Sequence, residues 1–204
     1  MIETTQTETR GVTAAPGTTK ARIERAALGL FVEKGVAGAT TREIAGAAGV
    51  SEGALYRYFK SKEAIAQHLF AAIHEKLAGL VRNAGTSAEG VEAQAEAVID
   101  AYCGAADEDW TLFTFHLLSI DHFLPTPPGR DDPVSATEDI IAAAIDRGEL
   151  PACDARILAA MALGVVLQPA LHKAYGRLDA PLSAYADQFK SAIRAVLSST
   201  APRP

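Results

Sequence analysis

The sequence predicts an all-α fold of about nine helices. Apolar residues recur with the helical period in nearly every segment, and no segment alternates polar and apolar residues as a strand would. Glycine and proline separate these segments at points where helices commonly end. The chain has 204 residues, 49% of them hydrophobic, so it is long and apolar enough to bury a core.

The first two predicted helices have clear start and stop signals. A helix over residues 19–34 has one apolar face, and Gly35 ends it. Thr40 is the expected N-cap of a second, short helix, because Glu43 three residues later completes a capping box. Gly49 ends this second helix.

Seven further helices are predicted. Ser51 caps a third short helix that ends near Phe59, and Ser61 caps a long fourth helix. The segment from Phe123 to Pro133 contains four of the chain's ten prolines, which predicts a loop. The other predicted helices are residues 88–106, 109–122, 134–147, 154–175 and 181–199.

The second and third helices form the pattern of a helix-turn-helix motif. This motif needs small residues where its two helices cross closely, and Ala45, Ala48 and Gly49 supply them. The second helix of such a motif lies in the major groove of DNA. The spacing therefore predicts a DNA-binding domain near the N-terminus.

The charge distribution agrees with DNA binding, although the net charge of the whole chain is −6. Residues 17–63 contain eight basic and five acidic residues, a net charge of +3. Residues 64–204 have a net charge of −8. A basic N-terminal region on an acidic body is expected where only that region meets phosphates.

The run TTREIAGAAGVSEGALYRYFKSKEAI, Thr40 to Ile65, resembles the TetR family of repressors. The resemblance covers about 50 residues and extends to the rest of the chain only as helical architecture. It implies a DNA-binding domain over residues 18–62 and a ligand-binding and dimerisation domain over residues 63–204. The polar, Thr-rich residues 1–17 are predicted to be a disordered leader.

Ten residues are predicted to contact DNA. Thr41 and Arg42 begin the second helix, where unpaired backbone N–H groups favour an anion. The resemblance adds residues of the turn, of the third helix and of the start of the fourth. The full set is Thr41, Arg42, Ser51, Glu52, Gly53, Ala54, Tyr56, Arg57, Tyr58 and Lys62.

The resemblance divides these residues into two groups. Thr41, Tyr56, Tyr58 and Lys62 are implied to contact phosphates, and Glu52, Gly53, Ala54 and Arg57 are implied to face bases. Arg57 is the best base reader, because a guanidinium matches the O6 and N7 acceptors of guanine. Core packing is the interpreted role of Phe59 and the alternative role for Tyr58.

Glu52 departs from the family, which often has a basic or small polar residue at this position. Two roles are open for it. Its carboxylate accepts a hydrogen bond from cytosine N4, or it only stabilises the N-terminus of the third helix through the helix dipole.

The final two helices are predicted to form a homodimer interface. The helix over residues 154–175 is apolar almost all round between Ile157 and Leu171, so more than one side needs burial. The resemblance implies a four-helix bundle with a two-fold mate; the alternative is an intrachain core alone. The predicted interface residues are Met161, Val165, Leu171, Tyr185, Phe189, Ile193 and Val196.

Aromatic residues with polar neighbours in the middle of the chain predict a ligand pocket. Such sites are mostly apolar with a few polar groups. The alternative is core packing, since Trp110, Phe113 and Leu117 share one helix face. The predicted lining is Tyr102, Trp110, Phe113, His116, Leu117, Phe123, Gln168 and His172, which favours a neutral or weakly polar molecule.

These features predict a cytoplasmic, homodimeric repressor. It binds pseudo-palindromic double-stranded operator DNA and releases it when a small-molecule inducer binds the C-terminal domain. An activator and a metal-responsive regulator of the same fold are the alternatives.

Several other classes are disfavoured. No catalytic spacing or phosphate-binding glycine loop indicates an enzyme or a cofactor site, and no CxxC or HxxxH spacing indicates a metal site. The longest apolar stretch, of 11 residues, is too short to span a membrane, and no signal peptide is evident. Cys103 and Cys153 are interpreted as packing residues, with a redox switch as the alternative.

Overall fold

The structure is a computed structural model that describes residues 11–124 and 131–199. Within those ranges it is all-helical without strands, as the sequence predicts. The nine α-helices of this part of the chain are α1 (Thr19–Gly38), α2 (Thr41–Ala47), α3 (Glu52–Tyr56), α4 (Lys62–Thr86), α5 (Val91–Glu108), α6 (Trp110–Phe123), α7 (Pro133–Asp146), α8 (Ala155–Ala174) and α9 (Ala186–Ser198). A 3₁₀ turn, Leu182–Tyr185, precedes α9.

Side-chain caps determine where the short N-terminal helices begin. The Thr40 hydroxyl accepts a hydrogen bond from the backbone N–H of Glu43 (3.2 Å), and the Glu43 carboxylate accepts one from the backbone N–H of Thr40 (2.9 Å). This confirms the predicted capping box. The Ser51 hydroxyl accepts from the N–H of Ala54 (3.2 Å), and Ser61 caps α4 in the same way. Each cap satisfies a donor that the first helical turn leaves unpaired.

Two glycines turn the chain at the predicted helix ends. Gly35 has φ 70° and ψ 164°, so the helical conformation of α1 is interrupted there and one further turn, residues 36–38, follows. Gly49 has φ 65° and separates α2 from α3. Residues with a Cβ rarely adopt such a conformation, so both turns favour glycine.

Two predicted irregular segments fall partly outside the described residues. Of the loop predicted over residues 123–133, residues 125–130 lie outside them, as do residues 1–10 of the predicted leader. Residues 12–14 of that leader donate backbone hydrogen bonds to the buried carboxylate of Glu24. The prediction of a disordered leader is therefore wrong for this part.

The described residues form two compact units. The first unit comprises residues 11–73 and 109–124, and so contains α1, α2, α3, the start of α4 and α6. The second comprises residues 74–108 and 131–199. The predicted boundary after residue 62 concerns function and stays a prediction.

Within the first unit, an ion pair and stacked rings join α6 to α1. The Arg25 guanidinium donates to both carboxylate oxygens of Asp109, at 3.0 and 2.7 Å, and both side chains are largely buried. Asp109 is also the N-cap of α6, where it accepts from the N–H of Leu112. The rings of Phe31 and Phe115 stack at 5.8 Å.

Within the second unit, α5, α7, α8 and α9 share an apolar core. Polar contacts support it: Asp107 accepts hydrogen bonds from the N–H groups of Leu182 and Ser183, and Lys190 pairs with Asp100 at 2.7 Å. The core residues are Val91, Ile141, Ala144, Leu150, Leu158, Ala159 and Leu197.

Among the described helices, α8 is long and apolar enough to cross a bilayer by length and composition. Buried core helices and oligomer interfaces pass the same test, so the finding is weak evidence of a membrane span. Only 22% of its most apolar window is buried within the chain.

Candidate functional site

The turn between α2 and α3 is closed by backbone hydrogen bonds. The N–H of Val50 donates to the carbonyl of Ala45 at 2.9 Å, and the N–H of Gly49 donates to the carbonyl of Gly46 at 3.1 Å. Ile44 and Leu55 are fully buried on the two helices. The turn and these apolar contacts hold α3 against α2, which is the arrangement of a helix-turn-helix.

A charged contact positions α2 relative to α1. The Lys34 ammonium donates to the Glu43 carboxylate at 2.9 Å. This hydrogen bond and those from Thr40 lower the pKa of Glu43 to about 2. The capping box therefore keeps its ionised carboxylate throughout the physiological pH range.

All ten residues predicted to contact DNA are at least partly accessible to solvent. Thr41, Ala54 and Lys62 are half-buried, and the other seven are exposed. Tyr56 and Tyr58 are 50% and 49% exposed. This exposure excludes the core-packing role for Tyr58, whereas Phe59, 7% exposed, is a core residue as interpreted from the sequence.

Three of these side chains meet between the first turn of α2 and helix α3. The hydroxyls of Thr41 and Tyr56 lie 3.3 Å apart, and the Thr41 hydroxyl lies 3.5 Å from the Glu52 carboxylate. Glu52 is in the first turn of α3, where the helix dipole stabilises a negative charge. Its carboxylate thus adjoins both the predicted phosphate contacts and the predicted base-facing surface.

Lys62 has an intrachain role that the sequence did not reveal. Its ammonium donates to the backbone carbonyls of Ala37 and Ala39, both at 2.8 Å. These bonds tie the start of α4 to the turn that ends α1. They use two of the three ammonium donors, so one is left for the predicted phosphate contact.

Sequence reasoning also missed Glu24, a fully buried carboxylate in α1. It accepts hydrogen bonds from the N–H of Val12 (2.7 Å), from the N–H of Thr13 (3.0 Å) and from the Thr13 hydroxyl (2.6 Å). The imidazole Nε2 of His68, in α4, lies 3.0 Å from Oε1 of Glu24, the oxygen that also accepts from the Thr13 hydroxyl. Glu24 therefore joins the N-terminal segment, α1 and α4.

The helical period of α1 indicates that Glu24 is buried. Glu24 precedes Ala27, Leu28 and Phe31 by three, four and seven residues, so it lies on their buried face. Burial alone would raise the pKa of the Glu24 carboxyl. Hydrogen bonds from Thr13, His68 and the backbone of Ala14 outweigh burial and hold this pKa below its ordinary value of 4.5.

The predicted ligand-pocket residues divide between the two units. In the first unit, Phe113, His116 and Leu117 are buried at 1%, 3% and 8% exposure. The His116 ring stacks on Phe70 at 5.0 Å, and Trp110 stacks on Phe113 at 5.9 Å. These packing contacts favour the core role for the aromatic stripe.

In the second unit, Tyr102 is buried, and its burial raises the pKa of the phenol. Gln168 and His172 lie on the exposed face of α8. The prediction that they supply polar groups to a ligand pocket stays a prediction, since in this single chain both side chains face solvent. Their helix positions place them on the face opposite the residues of α8 that pack in the core.

The predicted interface residues also differ in exposure. Phe189 and Ile193 are only 6% and 3% exposed, because they pack inside the second unit. Their assignment to a partner-facing surface is corrected accordingly. Met161 is 46% exposed. The remaining predicted residues, Val165, Leu171, Tyr185 and Val196, are half-buried.

The two cysteines are both free thiols. Cys103 is buried, and burial, with Asp107 and Asp100 nearby, raises the pKa of its thiol to about 11. A protonated thiol is a poor nucleophile, which favours the packing role. Cys153 is exposed.

The geometry agrees with comparisons to known proteins. Residues 23–69 match the family model described as bacterial regulatory proteins, tetR family. The HTH-type transcriptional regulator YerO of Bacillus subtilis (strain 168) is 50% identical over 46 residues, which are 22% of this chain and 16% of that protein. The HTH-type transcriptional repressor KstR2 of Rhodococcus jostii (strain RHA1) is 30% identical over 95 residues, 47% of each protein.

The matches thus span less than half the length of these relatives. A likeness of fold covers more of the chain. The crystal structure of the transcriptional regulator FadR from Bacillus subtilis, in complex with stearoyl-CoA, superposes with a TM-score of 0.68 at 21% identity. The superposition covers 87% of this chain and 97% of that one. Residues 23–69, which contain the helix-turn-helix of residues 41–56, therefore match the tetR family of bacterial regulatory proteins, and the fold of the rest of the chain is similar to that of such regulators.

Proposed function

We propose that this protein is a cytoplasmic transcriptional repressor that binds operator DNA as a homodimer and releases it when a small molecule binds. The observation that supports DNA binding best is the exposed surface of α2 and α3, on which Arg57 and two half-exposed tyrosines, Tyr56 and Tyr58, project to solvent. Tyrosine and arginine are side chains typical of DNA-contacting surfaces. KstR2 is a repressor by name, and the matched proteins are regulators rather than enzymes.

The exposed face of α8 supports the homodimer. Ile157 and Met161 are 62% and 46% exposed, and Ala160 and Gly164 complete an apolar stripe at helical spacing. The exposed face of α9 has small residues that permit close helix packing: Ser191, Ala192 and Ala195. We assign the partner contact to these faces in place of Phe189 and Ile193. A dimer also doubles the number of base contacts, which one short recognition helix needs.

We expect Met161→Glu to dissociate the dimer. Two-fold symmetry brings each interface residue near its counterpart, so the substitution buries two carboxylates close together. The dimer dissociation constant should rise at least about 100-fold, which corresponds to about 2.7 kcal/mol. Sedimentation velocity over a concentration series measures this constant.

Ala142→Glu is the matched control, because it adds the same charge at an exposed position of α7. It should leave the dissociation constant within twofold of the wild-type value. Equal behaviour of the two variants would contradict the assignment of α8 to the interface.

The small-molecule part of the proposal rests on the family and on the FadR likeness. FadR of Bacillus subtilis was crystallised with stearoyl-CoA. At 21% identity the likeness concerns the fold and does not identify the ligand of this chain. A ligand that binds the DNA-incompetent conformation more tightly lowers operator affinity by its differential binding free energy.

Selection from a random DNA library tests the proposed function. The purified full-length protein should enrich a pseudo-palindrome whose half-sites lie about one helical turn apart or more. The enriched sequence should bind about 10³-fold or more tightly than scrambled DNA at physiological salt. Enrichment of no sequence would refute the proposal of a specific DNA-binding protein.

Arg57→Ala should weaken binding to the selected DNA by about 1–3 kcal/mol and relax sequence preference at one position in each half-site. Arg57 is exposed beyond the last turn of α3, so the change removes a base contact without disturbing the core. Fluorescence anisotropy against a set of single-base operator variants measures both effects.

Arg42→Ala is the control with the same loss of charge. Arg42 is exposed at the start of α2, where we expect a phosphate contact. Its loss should weaken binding to all sequences alike and reduce the slope of log affinity against log salt by about 1. If Arg57→Ala leaves the sequence preference unchanged, the base-reading assignment fails.

A further inference from the structure

A cavity of about 390 Å³ lies within the first unit, between the C-terminal part of α1 and α6. This volume is within the range of about 300–1,000 Å³ that small-molecule sites occupy. Most of the lining is apolar. The main apolar contributions come from Phe31, Val32 and Val36 on α1 and from Phe115, Leu118 and Phe123 on α6.

The cavity is open to solvent, and the polar side chains of its lining come from α6. Leu118 lines it and is 45% exposed, an unusual exposure for a large apolar side chain. Ser119 and His122 line it from α6. An apolar molecule that fills this space would release water from the surrounding rings and aliphatic groups.

The partial charges of the lining determine which polar group a bound molecule can carry. Gly35, Val36 and Ala37 belong to the C-terminal end of α1, and His122 and Phe123 to that of α6. At the end of α1 the Gly35 carbonyl accepts from the N–H of Ala39 and the Ala37 carbonyl accepts from the Lys62 ammonium, so these groups are already paired. The C-terminal end of α6 has the partial negative charge of a helix C-terminus. This charge disfavours a carboxylate and favours a neutral group that donates hydrogen bonds, such as a hydroxyl.

The same lining is connected to the DNA-binding surface. Gly35 interrupts α1, so Val36 and Ala37 form a separate turn. The carbonyls of Ala37 and Ala39 accept hydrogen bonds from Lys62 at the start of α4, and the next residue, Thr40, caps α2. A molecule that displaces this turn therefore shifts the cap of α2 and the predicted phosphate contact at Thr41.

We propose that the cavity between α1 and α6 is an effector site for a neutral, mainly apolar small molecule with one hydroxyl-like polar end. Its occupation weakens DNA binding directly, through the turn of residues 36–38, inside the first unit. This regulatory consequence rests on the proposed function, whereas binding of the molecule does not.

Calorimetric titration of the full-length protein with two probes of equal chain length, 1-octanol and octanoate, tests the site. We expect saturable binding of 1-octanol with one molecule per chain, and at least tenfold weaker binding of octanoate. Absence of saturable 1-octanol binding, or preference for octanoate, would overturn the proposal.

A pair of variants on α6 localises the binding. Leu118→Trp fills the cavity and should weaken 1-octanol binding at least tenfold. Asp121→Trp introduces the same side chain at an exposed position of α6 outside the lining. It should change the affinity for 1-octanol less than twofold. Thermal unfolding of both variants checks that they fold. Equal affinities of the two variants for 1-octanol would place binding elsewhere and overturn the proposal.

Anisotropy with the selected DNA then tests the regulatory consequence. Saturating 1-octanol should lower DNA affinity at least tenfold for the wild type and for Asp121→Trp, but not for Leu118→Trp. Specific 1-octanol binding with unchanged DNA affinity would overturn the effector role. A protein that binds 1-octanol as expected but selects no DNA would refute the proposed function and leave the cavity site standing.

Discussion

Asp109→Ala is expected to destabilise the first unit by about 3–5 kcal/mol. The wild-type carboxylate has two roles: it pairs with both nitrogens of the Arg25 fork, and it caps α6 at the N–H of Leu112. The side chains of Arg25 and Asp109 are only 12% and 16% exposed. Removal of the carboxylate therefore takes a bidentate counter-charge away from a largely buried guanidinium, in addition to the loss of a cap.

Hydrogen exchange with mass spectrometry should show faster exchange in α1 and α6, and urea unfolding measures the loss of stability. Asp154→Ala is the matched control. Asp154 is also an N-cap aspartate paired with an arginine, Arg156, but this pair is exposed to solvent. Asp154→Ala should lower the free energy of unfolding clearly less than Asp109→Ala does, since water solvates the exposed guanidinium of Arg156.

A second variant separates the two roles of Asp109. Asp109→Asn retains a good capping side chain but removes the charge, so it should still destabilise the unit. Adding Arg25→Met should restore part of the stability, because the largely buried guanidinium that lost the Asp109 charge is then also removed. If the double variant is less stable than Asp109→Asn, the loss of the Asp109 charge beside Arg25 is not the cause of the destabilisation.

Glu24→Gln is expected to lower the free energy of unfolding by about 2–4 kcal/mol at neutral pH. The amide nitrogen of glutamine faces groups that donate hydrogen bonds, including the N–H groups of Val12 and Thr13. The loss stays below the sum of the individual hydrogen bonds, because the N-terminal segment detaches and its donors bind water. Exchange of the amides of residues 12–14 should become fast.

The lowered pKa of Glu24 determines how the stability loss of Glu24→Gln depends on pH. The folded-state pKa of Glu24 lies below its ordinary value of 4.5, so its ionised form stabilises the fold at pH values above 4.5. That contribution is lost as the pH falls through the folded-state pKa. The stability difference between wild type and Glu24→Gln should therefore be constant near neutral pH and shrink below about pH 4.5.

Glu33→Gln is the control on the same helix, since Glu33 is exposed. It should change neither the stability nor the exchange of residues 12–14 appreciably. A pH-independent difference between wild type and Glu24→Gln would show that the ionised carboxylate is not what holds the segment.

The helical architecture was predictable because its causes are local. The capping box of Thr40 and Glu43 and the glycine turns at Gly35 and Gly49 act through residues within a few positions of each other. Phe59, interpreted as a core residue, is buried as well. The predicted DNA-contacting surface is accessible for the same reason, since its residues lie on one short, regular helix pair.

The side-chain partners of charged residues were not predictable in this way. Lys62 was interpreted as a phosphate contact, yet its ammonium binds carbonyls 23 and 25 residues earlier in the chain. The pairing of Arg25 with Asp109 spans 84 residues. Such contacts depend on how helices pack, and a single sequence holds no period that reports the distance between two helices.

The exposure of Gln168 and His172 was not predictable for the same reason. Their helix could be predicted, but which of its faces is buried depends on the neighbouring helices. The sequence alone thus determined the helices, their caps and the helix-turn-helix, because these follow from local backbone geometry and hydrophobic period. Only the tertiary structure decided which carboxylates are buried, where α6 docks on α1 and where a cavity remains, because packing brings together residues that are distant in the chain.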